Sequence, residues 1–209
     1  MSCTPSQQAV IDHPDGHAIV GAVAGSGKTY TMVRRVIRLI ASGVDPRRIL
    51  VLMFNKSAQE EFSRRLSKAC REANLPMAEV QTFHGFGLRL CRRLIEAGLL
   101  PDAALRTEGY EIRKFARAVL QQVNEARSED EQLDLNFDVL TEFLDTVDIL
   151  KGELYPCADE RWADFVKDVD KRFLQAFQIF EDQRCDNGVR HFSDLIYDPV
   201  FAALNDPAI

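Results

Sequence analysis

Two textures of apolar patterning divide the chain at about residue 100. Ahead of that point, short unbroken apolar runs alternate with amphipathic stretches. HAIVGAV at 17–23 is a compact apolar run ending in a glycine-rich turn, which predicts a buried parallel strand feeding a loop. Met32, Val33, Val36, Ile37 and Ile40 then recur at helical spacing between Arg34, Arg35 and Arg38, predicting a helix over 29–41 that Gly43 stops. ILVLMF at 49–54 predicts a second buried strand, followed by a helix over 57–71 that Asn74-Leu75-Pro76 breaks. A third, weaker strand at 79–83 leads into a helix over 85–97. Strand and helix alternating three times predict an α/β domain with a parallel sheet.

Beyond Gly98 and Pro101 the strand-like runs stop and long amphipathic stretches take over. Ile112, Phe115, Ala116, Val119, Leu120 and Val123 mark one helix face; Phe137, Leu140, Phe143, Leu144, Val147 and Leu150 mark another. Trp162, Phe165, Val166, Val169, Phe173, Phe177 and Phe180 form a third, sustained stripe, which at this spacing reads as core and not as a cofactor or partner surface. The predicted plan is an α/β subdomain over 1–104, an all-helical insert over 105–188 with an exposed acidic connection at 127–136, and a return to the first subdomain over 189–209.

A chain of 209 residues that is 46% hydrophobic can bury a real core, so disorder is excluded as its general state. The net charge of −6 speaks against nucleic acid only until it is divided along the chain. Residues 28–93 carry 14 Lys and Arg against 5 Asp and Glu, net +9, whereas residues 94–209 carry 12 against 25, net −13. A basic face can sit on an acidic protein. Cys3, Cys70, Cys91, Cys157 and Cys185 are odd in number and include no C-x-x-C pair, which predicts reduced, mostly buried thiols with neither a disulfide framework nor a zinc site. With no membrane-length apolar segment and no basic-then-greasy start, the sequence reads as soluble and cytoplasmic, with no membrane partner.

The chemistry concentrates in Ala22-Val23-Ala24-Gly25-Ser26-Gly27-Lys28-Thr29-Tyr30, placed between the first predicted strand and the first helix. Glycines at 25 and 27 let backbone N–H groups turn inward around an anion, and the N-terminus of the following helix adds partial positive charge. Lys28 can reach the outer phosphates of a nucleotide, and the Thr29 hydroxyl can ligate a phosphate-bound Mg2+. A glycine-rich turn that binds nothing is the bland alternative; the strand-to-helix context argues against it.

A phosphate loop alone does not separate helicases from kinases or GTPases. Four blocks taken together do, and through them the chain resembles the UvrD/Rep/PcrA branch of superfamily 1 DNA helicases. TPSQQAVI at 4–11 is similar to that family's N-terminal glutamine motif, 21 residues ahead of Lys28 when counted from Gln7. AVAGSGKT is the family's form of the phosphate loop, Ala22 included. MFNKSAQEEFSRRL at 53–66 resembles its motif Ia, and VQTFHGFGLRL at 80–90 its motif Ib. A fifth, weaker block, RHFSDLIYDPV at 190–200, resembles the helix start ahead of motif II, where Asp194 caps or orients.

The resemblance implies a P-loop NTPase (RecA-like) fold with a helical insertion, ATP and Mg2+ as cofactors, and 3′-to-5′ translocation on single-stranded DNA with duplex unwinding. It implies that Gln7 reads the adenine edge, that residues 22–30 cradle the nucleotide with Lys28 and Thr29 as the catalytic contributors, and that Phe54, Asn55, Thr82, Phe83 and His84 meet DNA. On residue type alone, without the resemblance, a core position is the favoured reading of Phe54 and a hydrogen-bonded structural role that of His84. An exposed aromatic at a strand end instead suits a sequence-tolerant stacking platform.

Hydrolysis in this family needs an Asp-Glu pair after the next apolar strand. No such strand is predicted after Ile196, and Asp159-Glu160 reads as charge at a helix start. The expectation is a fragment that binds nucleotide and single-stranded DNA weakly without turnover, its partner being the C-terminal motor domain of the same polypeptide. A truncated binding module without catalysis is the second reading. A small-molecule kinase is the third, and it gives Thr82-Phe83-His84 no reason.

Overall fold

Regular structure begins with a reciprocal cap. The Thr4 hydroxyl accepts from the Gln7 backbone N–H (3.3 Å) and the Gln7 side-chain oxygen accepts from the Thr4 N–H (2.9 Å). With Pro5 in the first turn, this cap fixes the short helix α1 (Pro5–Ile11). The computed structural model describes residues 3–154 and 166–205. Pro156, Cys157, Asp159-Glu160, Trp162, Phe165 and residues 206–209 lie outside the described residues. The chain divides into two units, Met1–Phe86 and Gly87–Ile209.

In the first unit, helix α2 (Lys28–Ala41) buries Val33, Val36 and Ile40 along one face, and its Arg35 donates to the Ile11 carbonyl (3.0 Å) to hold the end of α1. Strand β1 (Leu50–Met53) leads into α3 (Lys56–Glu72), which Asn55 caps by accepting from the Ala58 N–H (2.8 Å). Phe62, Leu66 and Cys70, four residues apart, place one stripe of α3 in the core. Strand β2 (Glu79–Thr82) pairs with β1 in parallel, Leu50 opposite Glu79 through Met53 opposite Thr82. The Gln59 amide donates to the Val80 carbonyl (3.0 Å), tying α3 to that strand. These elements match the predicted ones to within a residue or two.

The strand expected at 17–23 does not form. Residues 17–23 have no regular structure, and Ile19, Val20 and Val23 are exposed. A parallel strand is completed by hydrogen-bonding neighbours distant in sequence, and neither β1 nor β2 pairs with this segment.

The second unit begins within α4 (Phe83–Glu96) and is built around three helices, α5 (Gly109–Glu125), α6 (Phe137–Gly152) and α7 (Lys171–Asp186). Ala116, Val119, Leu120 and Val123 from α5, Leu140, Phe143, Val147 and Leu150 from α6, and Phe173, Ala176, Phe177 and Phe180 from α7 form one buried cluster. Phe180 meets Phe115 edge-on at 4.9 Å and Phe143 at 5.9 Å between ring centroids. Each buried phenylalanine contributes about 1.5–3 kcal/mol of transfer free energy, so the described part of the stripe, with Phe173, Phe177 and Phe180 buried, is core, as its spacing predicts.

Two details differ from expectation. The third stripe is not one helix: Val166–Asp168 is a single 3-10 turn, and Asp170 starts α7 afresh by accepting from the Arg172 N–H (2.8 Å). The acidic connection is exposed as expected except at Arg127, Leu133 and Leu135. Asn124 exchanges two 2.9 Å hydrogen bonds with the Leu133 backbone, and Leu133 and Leu135 pack against the core.

A second parallel pair brackets the helices. Strand β3 (Ala104–Leu105) lies beside β4 (Val189–Arg190), with Ala104 opposite Val189 and Leu105 opposite Arg190. Helix α8 (Asp194–Asn205) follows and contains Pro199. Proline has no N–H to return to the Leu195 carbonyl, which instead lies 3.9 Å from the Cys91 thiol and so close to Gly87 that a Cβ there would collide with it. Cys70 and Cys91 are buried free thiols, Cys3 is half-buried, and Cys185 is exposed, against the expectation of general burial. No helix among the described residues is long and apolar enough to cross a membrane.

Candidate functional site

Residues 22–27 form an exposed loop that runs into the N-terminus of α2. Gly25 (φ +77°) and Gly27 (φ +81°) hold left-handed backbone that an L side chain resists, which is why the turn carries glycine at those places. Gly27 is the residue ahead of the helix and offers no side-chain cap, so the first-turn N–H groups of α2, which have no partner within the helix, open toward the loop. The Lys28 ammonium folds back over it, donating to the carbonyls of Ala22 (3.1 Å) and Val23 (2.7 Å). Beneath, the Ser26 hydroxyl is buried with no hydrogen-bond partner. Left-handed glycines, open N–H groups, a long-stemmed cation and an orphaned hydroxyl together suit an anion with several oxygens.

Gln7 reaches this loop. Its amide nitrogen donates to the Ser26 carbonyl (2.9 Å), and a Cβ added at Gly27 would come within 2.9 Å of the same nitrogen. Both ends of the Gln7 amide are thus engaged, one by the cap on α1 and one by the loop. Thr29 is the second residue of α2. The Tyr30 phenol accepts from Arg34 (3.1 Å), four residues along α2. Thr31, which sequence reasoning missed, is buried and donates to the Gly27 carbonyl (3.1 Å), fixing the loop's last peptide from behind. A threonine one turn into a helix carries no signal that marks such a role.

The second cluster follows from strand register. Because Met53 and Thr82 are paired, Phe54 and Phe83 leave adjacent strands at the same sheet end, and they are 85% and 47% exposed. Two large apolar rings in water are not core residues. Asn55 spends its side-chain oxygen on the α3 cap, and the Thr82 hydroxyl accepts from the Gly85 N–H (3.0 Å) at the start of α4. His84 is half-buried beside them in sequence.

A cluster in the second unit was legible only in part. Lys151, almost wholly buried, bonds Asp194 and lies 2.6 Å from Glu181. Arg184 bridges Glu181 (2.7 Å) and Asp198 (3.0 Å), and Arg190 meets Asp198 at 2.6 Å. Asp194, 0% exposed, also accepts from the His191 backbone N–H (2.6 Å), so it ties the turn ahead of α8 to the helix's first residue and anchors the network. Burial drives the His191 imidazole below its ordinary pKa; Asp194 opposes that shift, while Lys151 and Arg184 reinforce it.

A profile of the UvrD/REP helicase N-terminal domain matches residues 3–209. The chain belongs to this family. Its members are ATP-dependent DNA helicases. The chain is 38% identical over 109 residues to an ATP-dependent helicase/nuclease of Latilactobacillus sakei subsp. sakei (strain 23K), covering 43% of this chain and 12% of that protein. It is 26% identical over 152 residues to the exonuclease/helicase protein RexA of Lactococcus lactis subsp. cremoris (strain MG1363), covering 73% and 11%. Against the ATP-dependent DNA helicase Rep of Escherichia coli (strain K12) the identity is 24% over 201 residues, covering 95% of this chain and 28% of Rep. The chain therefore spans only about a tenth to under a third of the length of these relatives.

Proposed function

We propose that the chain is the nucleotide-gripping first part of a UvrD/Rep-type helicase, with a P-loop, RecA-like subdomain over 1–104 and 189–209 and a helical insert over 105–188. The observation that carries this reading is the loop from Ala22 to Gly27 with the Lys28 ammonium lying across its carbonyls. The pairing of β3 with β4 supports the insert, because it brings residues 104 and 189 side by side.

In this reading the N–H groups of residues 25–30 and Lys28 hold the phosphates of ATP, the outer phosphate replacing the two carbonyls that Lys28 now meets. Thr29 would hold Mg2+, which would supply charge neutralisation to the phosphates. Gln7 reads adenine at the cost of its bond to Ser26. Phe54 and Phe83 stack on unpaired bases of DNA, with Asn55, Thr82 and His84 beside them. Hydrolysis, 3′-to-5′ translocation and unwinding are assigned to the whole cytoplasmic protein, of which this chain spans the region matched by the UvrD/REP helicase N-terminal domain.

The test is a pair of assays on the 209-residue chain. Mg2+-ATP turnover stays at background with or without single-stranded DNA, since a transferred arginine alone is worth roughly three to five powers of ten. Binding of a labelled oligonucleotide is weak, prefers single strands and loses about 1–3 kcal/mol in Phe54→Ala. DNA-stimulated turnover that vanishes in Lys28→Ala contradicts the first half; an unchanged affinity in Phe54→Ala contradicts the second.

A further inference from the structure

Residues 94–209 are strongly acidic, yet between 106 and 117 the balance reverses, with Arg106, Arg113, Lys114 and Arg117 against Glu108 and Glu111, all exposed. The same stretch opens α5 and carries Tyr110, 73% exposed. Next to it the Arg113 guanidinium lies over the exposed ring of Phe137 at 5.9 Å. Arg106, Tyr110, Glu111 and Lys114 wall a cleft of about 470 Å³ that also includes Phe115, Val189 and His191, so the Glu111 carboxylate shares the rim with the two cations. Arg106 is only loosely held, 3.9 Å from Glu111. In the same cleft the His191 Nδ1 is buried with no hydrogen-bond partner, since the nearest Asp194 oxygen stands 3.7 Å away.

We infer that this cleft is a second contact for single-stranded nucleic acid, taking one unpaired base against Tyr110 and the apolar Phe115 and Val189 while Arg106 and Lys114 hold the adjoining phosphates. A basic rim on an otherwise acidic unit selects a polyanion, and a volume within the range of small-ligand clefts admits a flat ring. The exposed tyrosine face selects single strands, because in a duplex the faces of the bases are covered by their neighbours. Phosphate contacts add affinity without reading sequence. The inference goes beyond the Phe54 and Phe83 ledge and does not depend on it, since every residue it uses belongs to the second unit.

The experiment uses the 209-residue chain with a fluorescein-labelled thymidine oligonucleotide at low salt, and a bromodeoxyuridine version for photo-crosslinking and peptide mapping. Tyr110→Ala weakens binding about tenfold and does so equally in a Phe54→Ala background, whereas Tyr110→Phe stays within about twofold because the ring remains. Lys114→Ala weakens binding less, and its effect fades as salt rises. Lys171→Ala, an exposed cation elsewhere in the same unit, changes nothing. Crosslinks appear on a peptide containing Tyr110. Unchanged affinity in Tyr110→Ala, with crosslinks confined to peptides containing Phe54 or Phe83, overturns the inference and leaves the ledge intact. Equal loss of duplex binding in Tyr110→Ala overturns the single-strand assignment, and displacement of the oligonucleotide by polyglutamate at equal charge points to an acidic protein instead. Tyr110 is a surface residue, so an unaltered melting curve separates these outcomes from misfolding.

Discussion

The two units differ in how they satisfy their backbones. In the second, α5, α6 and α7 close their hydrogen bonds within themselves and need neighbours only for their apolar stripes, of which Ala116, Val119, Leu120, Val123, Leu140, Phe143, Val147, Leu150, Phe173, Ala176, Phe177 and Phe180 are buried. In the first, a two-stranded sheet and three helices bury Val36, Val51, Phe62 and Leu66 well, yet Ile19, Val20 and Val23 stand in water beside the glycine-rich loop. A helix is a local solution to the backbone; a strand is a contract with distant residues. The unit that holds the glycine-rich loop is therefore the less self-sufficient of the two.

The comparison can be broken most forcefully in the second unit. Asp194→Ala strands Lys151 and Arg184 as buried, underpaired cations and is expected to cost about 3–5 kcal/mol in thermal or denaturant unfolding. Lys151→Met combined with Asp194→Leu removes one charge of each sign and should recover most of that loss. A small effect of Asp194→Ala would mean that the network is not what holds α6, α7 and α8 together.

His191 sharpens the same point through pH. Its folded imidazole titrates below the unfolded one, so as pH falls beneath the ordinary imidazole range the unfolded chain takes up a proton that the folded chain refuses. Stability is complete above that range, declines as pH falls through it, and levels off below the folded value. The slope of unfolding free energy against pH should flatten in His191→Phe; an unaltered slope there assigns the acid sensitivity to other groups.

The smallest effect is expected where a strand was predicted. Ile19→Ser changes stability by no more than about 0.5 kcal/mol in this chain, because the side chain is already in water. A loss of about 2 kcal/mol or more would show that the segment is buried and the contrast between the units false.

What was legible in the sequence follows the same division. Helices α2, α3, α5 and α6 were read to within a few residues because 3.6-residue periodicity records which face a helix buries. HAIVGAV was misread because an apolar run states only that a segment favours burial, not that partners reach it. Strands β3 and β4 are two residues each and carry no pattern at all. The Lys151–Asp194 pair spans 43 residues, and an aspartate beside a helix start already has a local explanation as a cap, which hid its second role. At the glycine-rich loop the turn at Gly25 and Gly27 was plain from spacing, whereas the Thr4 and Gln7 cap, a Thr-x-x-Gln pattern readable by the same logic, was passed over.

The central claim is that the loop over which Lys28 is folded holds nucleotide phosphates. Titrating Mg2+-ATP into the wild-type chain, Lys28→Ala and Gln7→Ala by calorimetry tests it most directly. The expected result is measurable binding that weakens by about 2 kcal/mol, roughly 30-fold, without the charge-assisted contact from Lys28, and by about 1 kcal/mol without the neutral amide of Gln7. Equal affinity for ATP in wild type and Lys28→Ala would contradict the assignment.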